Sequence, residues 1–191
     1  MIKKLTLVAM FTAIVAMLAY MGGFIKIGAS ASISLTLIPI VLGGAICGPV
    51  VGAWLGLVSG AIFFATADAA YWLGLSVGGT IVTVLIKGLM AGLIAALTFK
   101  LLKNVNRYLA IVVSAVVAPV VNTGIFILGC FLFFFDNTVA GAANAGQSLF
   151  VFIMVSYIGL NFVFELLANI LVSPALLRIL NIKSGDIKSK N

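Results

Sequence analysis

Apolar runs of helical-span length, separated by short polar clusters, make up almost all of this sequence. Of 191 residues, 64% are hydrophobic and only 8% are charged, and the mean hydropathy is +1.34. A soluble domain carries roughly 25% charged residues, so a chain with this few cannot cover a water-facing surface. Because a spanning helix satisfies its backbone hydrogen bonds internally, the sequence predicts an all-α integral membrane protein.

The apolar runs predict a bundle of six transmembrane helices in a single domain. A spanning helix needs about 20 apolar residues. The six predicted helices cover residues 5–24, 33–46, 50–65, 79–99, 109–135 and 149–180. Residues 66–72 are predicted as a loop or re-entrant segment at the headgroup level, and residues 136–147 as a further loop. Residues 1–191 therefore form one membrane domain, with a short cytoplasmic tail from about residue 182.

The lysines and arginines predict the orientation, because cytoplasmic loops carry an excess of these residues. If the N-terminus is cytoplasmic, nine basic residues fall inside the cell and only Lys26 falls in an outer loop. The nine are Lys3, Lys4, Lys100, Lys103, Arg107, Arg178, Lys183, Lys188 and Lys190. The opposite orientation would invert this bias. Both termini are therefore predicted to be cytoplasmic, in a multi-pass protein.

Charge distribution and missing motifs exclude several classes of function. The net charge of +7 does not indicate nucleic-acid binding, because the basic residues lie in short clusters and not in a stripe interleaved with aromatics. The chain has no histidine, and its two cysteines lack a CxxC partner, so we expect no metal, no cofactor and no catalytic triad. It also has no phosphate-binding P-loop. We expect a protein that is not an enzyme, and any ATPase must be another polypeptide.

Small residues recur at helical spacing in two places. Gly52, Gly56 and Gly60 continue a stripe that starts at Gly48, at a spacing of four residues. Such a stripe lets another helix approach closely, and we favour a packing seam within this chain over a surface for a partner. A second patch is built on the first helix by the pair Ala9 and Ala13 with Ala16 beside it, and for this patch a partner surface is more plausible.

Polar residues within the predicted spans mark a candidate site. Lys87 lies near the middle of the fourth helix and Asn122 midway along the fifth, while Asn161, Glu165 and Asn169 share one face of the sixth. Each of these groups costs free energy in lipid unless it meets a partner or a cavity. Two interpretations stay open, and they are not exclusive. One is a Lys87–Glu165 ion pair with amides that join helices; the other is a polar cavity that offers Lys87 to a solute.

Residues 33–52, with the sequence ISLTLIPIVLGGAICGPVVG, carry a resemblance to a known family. They resemble the second and third helices of the substrate-binding (S) components of energy-coupling factor (ECF) vitamin transporters. The pair Ala9-x-x-x-Ala13 is similar to the family's A-x-x-x-A motif, which docks on the transmembrane coupling subunit. The resemblance implies a vitamin-binding subunit in a bacterial plasma membrane. Its partners would be that coupling subunit and two ATPases.

The resemblance also implies a binding pocket near the outer face, built from the first loop and the last three helices. Carried onto this sequence, that region contains Lys26, Lys87, Asn122, Asn161 and Glu165. Four of these five residues are the ones that intramembrane polarity indicates independently.

The pantothenate-type group is the most similar part of the family. Asn122-Thr123 and Asn161-x-x-x-Glu165 resemble its fifth and sixth helices, and Lys87-Gly88 stands where its fourth helix carries a basic residue. Here that residue is a lysine and not an arginine, so the bidentate contact that arginine makes with a carboxylate is lost. Riboflavin and other water-soluble vitamins are the alternatives to pantothenate. A different class of function, a stand-alone secondary carrier with Lys87 and Glu165 as a proton relay, also stays open.

Overall fold

The computed structural model describes residues 2–22, 26–27, 31–32 and 35–188. Side chains are described for residues 4–22, 35–159 and 161–178. The elements in chain order are α1 (Ile2–Gly22), β1 (Lys26–Ile27), β2 (Ala31–Ser32), α2 (Leu37–Cys47), α3 (Pro49–Phe63), α4 (Ala67–Leu75), α5 (Val77–Leu102), α6 (Arg107–Phe133), α7 (Phe135–Asn144), α8 (Leu149–Phe152), a π-helical segment (Ile153–Ile158) and α9 (Gly159–Lys188). The strands β1 and β2 form a two-residue antiparallel pair with Lys26 opposite Ser32.

The all-α membrane bundle that the sequence predicts is confirmed. Within the described residues, α1, α5, α6 and α9 are each long and apolar enough to cross a membrane. Two further spans are possible if each of two bent pairs counts as one: α3 with α4, at 85°, and α7 with residues 149–158, at 98°. The bundle therefore has four to six candidate spans.

Four segments differ from the sequence expectation. One is the second predicted transmembrane helix, because α2 (Leu37–Cys47) is too short to span a membrane. Residues 66–72, predicted as a loop or re-entrant segment, lie mostly in α4, which bends from α3 by 85°. Residues 136–147, predicted as a loop, lie mostly in α7. The predicted sixth helix does not run unbroken from residue 149, because Gly159 interrupts it at φ +52° and ψ −155°, a conformation open essentially only to glycine. Beyond this break, α9 continues through Lys188, into the segment that the sequence predicts as a tail.

Helix α2 is a buried core helix and is too short to span a bilayer. Its 11 residues extend about 16 Å at 1.5 Å per residue, whereas a hydrocarbon core is about 30 Å thick. Eight of the 11 are buried, on every side of the helix. It packs against α1, α3, α5, α6 and α9. Helix α2 therefore forms the centre of the bundle, and α1, α3, α5, α6 and α9 surround it.

The glycine stripe on α3 packs against α5 within this chain, as the preferred interpretation expects. Cβ atoms added to Gly52 and Gly56 would strike the carbonyl oxygens of Gly92 and Gly88, respectively. A Cβ on Gly60 would lie 2.8 Å from the Val84 carbonyl oxygen. The two backbones are therefore in direct contact, and only glycine permits that approach. Gly48, the first residue of the stripe, has no neighbour within 4 Å of such an atom; it has φ +102° and starts the turn into α3.

The two ends of the bundle differ in character. One end is filled by the apolar core, which includes Phe11, Phe99, Ile111 and Leu176. The connection between α5 and α6 lies at this end. The opposite end, where α3 and α6 finish and α5 and α9 begin, holds the cavities described next.

Candidate functional site

A cavity of about 480 Å³ opens between the ends of seven helical segments. Pockets for small molecules have volumes of about 300–1,000 Å³, so this one is large enough for a vitamin-sized solute. Its wall residues come from α3, α4, α5, α6, α8, the π-helical segment and α9, with Phe134 from the α6–α7 junction. A second cavity of about 140 Å³ shares Lys87, Asn122 and Asn161 with the first. The smaller one extends toward α1 and α2.

Lys87 stands between the two cavities with its ammonium group against aromatic rings. Its Nζ lies 5.1 Å from the ring centroid of Phe126 and 5.6 Å from that of Phe63. Such cation–π contacts contribute about 0.5–2 kcal/mol each, more where water is excluded. Lys87 and Glu165 attract each other electrostatically, yet no N···O contact of 4.0 Å or less joins them in the described part of the chain.

Glu165, Asn122 and Asn161 bring polar side chains to the smaller cavity. Glu165 is 3% exposed and lines that cavity, one turn after Asn161 on α9. The described side chains include four buried polar atoms that make no hydrogen bond. They are Thr83 Oγ1, Asn161 Oδ1, Glu165 Oε2 and Asn169 Oδ1. Three of these four residues line the cavities.

Unpartnered buried polar atoms cost roughly 1–3 kcal/mol each unless a ligand or water satisfies them. Asn169 does not line either cavity; it is 1% exposed and its amide donates to the Glu165 carbonyl at 2.8 Å. Thr83 lines the larger cavity beside Lys87. The arrangement can therefore offer a solute the positive charge of Lys87 together with the side chains of Asn122 and Asn161, which line both cavities.

An aromatic cluster centred on Trp72 lines the larger cavity. The Trp72 ring makes edge-to-face contacts with Tyr71, Phe126, Phe134 and Tyr157, at centroid distances of 5.2, 5.2, 5.4 and 5.1 Å. These rings come from α4, α6, the α6–α7 junction and the π-helical segment. Edge-to-face pairs are a favoured geometry for aromatic side chains, so the cluster fixes the ends of these elements relative to one another.

Two local features place this cluster. The carbonyl of Trp72 accepts a hydrogen bond from Thr80 Oγ1 at 2.7 Å, which ties α4 to the start of α5. Ser76 caps α5 by accepting from the Gly79 amide at 3.2 Å. The π-helical segment directs Ser156, Tyr157 and Ile158 into the cavity wall, and π-helical turns frequently occur at functional sites.

The structure brings together four of the five solute-binding residues that the sequence predicts. Lys87, Asn122 and Asn161 line both cavities, and Glu165 lines the smaller one. Lys26 lies in β1, and its side chain is outside the described residues. Whether these residues bind a solute stays a prediction. The predicted partner residues Ala9 and Ala13 lie on an exposed face of α1.

Sequence reasoning missed most of the aromatic wall. Trp72 and Tyr71 are visible in the sequence only as interfacial aromatics, and Phe126, Phe134 and Tyr157 are not distinguished at all. In a chain with 14 phenylalanines, aromatic residues that face a cavity look the same as those that face lipid. The one available signal is Asp68, which is close to Trp72 in sequence and also lines both cavities.

Comparison with known proteins gives one match. The family model described as "ECF transporter, substrate-specific component" matches residues 3–177 of the 191. No curated protein and no solved structure matches the chain. The matched range contains every residue that lines the two cavities, and it confirms the family resemblance read from the sequence. This chain therefore belongs to the substrate-specific components of ECF transporters, membrane proteins that bind a small-molecule substrate and work with a membrane coupling subunit and ATPases.

Proposed function

We propose that this chain captures a vitamin with high affinity at the outer face of the cell membrane. It then delivers the vitamin together with a coupling subunit and two ATPases. The single observation that carries this proposal is the cavity of about 480 Å³, whose wall contains Lys87, Asn122 and Asn161 inside an apolar bundle. Such groups are costly in lipid unless they meet a ligand, water or a partner, and the cavity gives a ligand access to them.

The distribution of charge supports an outward-facing cavity. Lys4 near the start of α1, Lys100 near the end of α5, Arg107 at the start of α6 and Arg178 late in α9 all belong to the end opposite the cavity. Cytoplasmic segments carry the excess of lysine and arginine. The basic end is therefore cytoplasmic in this proposal, and the cavity faces outward.

Pantothenate is the vitamin that the sequence resemblance favours, with riboflavin and other water-soluble vitamins as alternatives. Lys87 provides a positive charge for a carboxylate such as that of pantothenate. The amides of Asn122 and Asn161 stand beside it for hydroxyl or amide groups. Under this proposal, Glu165 lies one turn deeper and accepts hydrogen bonds from the solute or from water.

Ala9 and Ala13 form the proposed contact with the coupling subunit. Both are exposed on α1, and they are flanked on that helix by exposed large residues such as Leu5 and Met17. Two small residues one turn apart leave a shallow groove in which a partner helix can approach closely. The groove lies on the outside of the bundle, away from the cavity walls.

A substitution on this face of α1 tests whether it serves delivery of the solute and not solute binding. Ala9→Trp or Ala13→Trp should leave solute binding unchanged and reduce energised uptake by more than tenfold, because a large ring prevents close helix approach. Binding is measured by calorimetry on the purified chain, and uptake is measured in cells that carry the complete transporter.

The matched control is Met10→Trp, which adds the same ring at an exposed position about 100° around the same helix. It should retain both binding and uptake. Equal loss of binding and uptake in Ala9→Trp would show that the alanine face serves folding, and would remove it as a partner surface.

A further inference from the structure

We infer that the substrate of this chain carries a planar conjugated ring, which Trp72 and the aromatic side chains around it receive in the larger cavity. This inference rests on the proposed function, since it names the class of solute that the proposed binding cavity selects. It separates the vitamins with an aromatic or heteroaromatic ring from those without one. Among the proposed vitamins it therefore favours ring-bearing ones such as riboflavin over pantothenate, which the sequence resemblance favours.

The composition of the cavity wall is the first argument. Of the 18 wall residues that lie in the described part of the chain, eight are aromatic and two, Val84 and Ile158, are aliphatic. The eight are Phe63, Tyr71, Trp72, Phe126, Phe134, Phe152, Tyr157 and Phe162. An acyclic aliphatic solute gains as much from leucine or valine walls, because hydrophobic burial is non-directional. A planar π system gains additional free energy from ring faces and edges.

The mutual geometry of the rings is the second argument. Trp72 meets Phe126 at an interplanar angle of 85° and Tyr157 at 65°, while Phe126 and Tyr157 meet at 70°. Because these rings meet edge to face, they are not stacked flat on one another and do not fill the cavity between them. Trp72, Phe126 and Tyr157 each keep part of their surface exposed, in the wall of a cavity of about 480 Å³. These three rings can therefore contact a planar solute in the cavity.

Two ordinary explanations of an aromatic cluster do not fit this one. An interfacial belt presents Trp and Tyr outward to the headgroups, whereas these rings line a cavity with Lys87 and Asn161. A packed core leaves few voids larger than a water molecule, whereas this cluster borders one of vitamin size. Only Phe134, which is 1% exposed, resembles an ordinary core residue.

The polar groups complete the description of the solute. The Phe126 ring contacts the aromatic cluster and also lies 5.1 Å from Lys87 Nζ. A ring bound against the cluster therefore directs one edge toward the ammonium group. Thr83 and Asn161, whose buried Oγ1 and Oδ1 atoms make no hydrogen bond, belong to the same wall, together with Asn122. The solute that fits is a conjugated ring with carbonyl, carboxylate or N–H substituents along one edge.

A panel of vitamins tests this inference on the full chain in lipid nanodiscs. Riboflavin, folate, thiamin, pyridoxine and nicotinate have a conjugated ring; pantothenate and biotin do not. Calorimetry should find the tightest binder in the first set. If pantothenate or biotin binds most tightly, the inference is overturned and the proposed function stands. If no member of either set binds, the proposed function fails, and the inference falls with it.

Variants at Trp72 locate the bound ring. Trp72→Leu should weaken binding by roughly 5- to 150-fold, the range measured when an aromatic residue that stacks on a nucleobase is removed. Trp72→Phe should recover most of that loss, because it restores a ring. Parent-like affinity in a folded Trp72→Leu chain for its ring-bearing ligand would overturn the inference.

Intrinsic fluorescence provides a second measurement that leaves the cavity unaltered. The chain has two tryptophans, and Trp54 lies outside both cavities, where its indole donates to Thr12 Oγ1 at 3.2 Å. In a Trp54→Phe chain the remaining signal comes from Trp72, and the ring-bearing ligand should change it at stoichiometric concentration. No change on saturation would contradict contact with Trp72.

Discussion

Lys87 is the residue whose surroundings differ most from those of an ordinary membrane-buried charge. Such a charge usually pairs with an opposite charge or faces water, but the Lys87 ammonium is flanked by two phenyl rings and borders two cavities. Glu165 attracts it from beyond contact distance. This geometry leaves the ammonium group accessible to a solute, whereas a close salt bridge would occupy it.

The role of Lys87 is tested by substituting it alone and together with Glu165. Lys87→Met removes the charge that compensates a carboxylate of 3% exposure, so it should lower thermal stability, and adding Glu165→Gln should restore much of it. The double variant should fold but bind its vitamin about ten- to a hundredfold more weakly, because a hydrogen bond to a charged group contributes about 1.5–3 kcal/mol.

Calorimetric titration and a melting curve on both variants separate stability from binding. Unchanged affinity in the double variant would remove Lys87 from the binding site. Asn169→Leu is a useful comparison, because Asn169 shares the same face of α9 but lines neither cavity. Any effect of that change should appear in the melting curve and not in the affinity.

For individual residues, the sequence predicts the polar members of the site but not the aromatic ones. A lysine or glutamate inside an apolar run is conspicuous because lipid penalises it, and four such predictions meet in the cavities. Trp72 and Phe126 carry no comparable penalty in lipid. Their role follows only from the contacts between α4 and α6, which join residues more than 50 positions apart in sequence.

The α3–α5 pair is the element-scale feature on which the position of Lys87 depends. Gly56 and Gly88 face each other with backbones in contact, and Gly88 directly follows Lys87 on α5. Any residue larger than glycine must separate the helices there. A shift of α5 away from α3 would carry Lys87 away from the Phe63 ring, which lies at the end of α3.

Gly56→Ala should therefore lower the stability of the fold by about 1–3 kcal/mol, the usual cost of overpacking a close contact. The matched control is Gly124→Ala, a helical glycine on α6 with no atom within 4 Å of the added Cβ. It should be neutral or stabilise by up to about 1 kcal/mol, since alanine is the better helix former. Melting curves in one detergent compare the two, and equal effects would mean that the α3–α5 contact does not limit stability.

Helix positions could be predicted from hydropathy more readily than helix breaks. The ends of α1, α5 and α6 lie within a few residues of the predicted spans at 5–24, 79–99 and 109–135. Helices α4 and α7 were missed because each combines small alanines with an aspartate in its first turn. Alanine and an N-terminal carboxylate favour a helix, but low hydropathy makes the same stretch resemble a loop.

At the scale of the whole molecule, the basic residues at the helix ends lie at one end of the bundle and the cavities lie at the other. This asymmetry predicts the orientation of the chain in the membrane. A cysteine at Asn137, exposed on α7, should react with an impermeant maleimide added to intact cells. A cysteine at Asn104, exposed between α5 and α6, should react only after the cells are opened.

The two native cysteines, Cys47 and Cys130, are buried and should contribute little background. The parent chain is the control that measures it. Labelling of the Asn104 variant from outside would reverse the orientation and place the cavity on the cytoplasmic side.

We propose that this chain binds its solute alone but transports it only with partners. The most direct test is uptake of the bound vitamin into proteoliposomes that contain either this chain alone or this chain with the coupling subunit and both ATPases. We predict stoichiometric binding and no accumulation with the chain alone, and ATP-dependent accumulation with the complete set. Accumulation by the chain alone, driven by an ion gradient, would contradict the account and identify a secondary carrier.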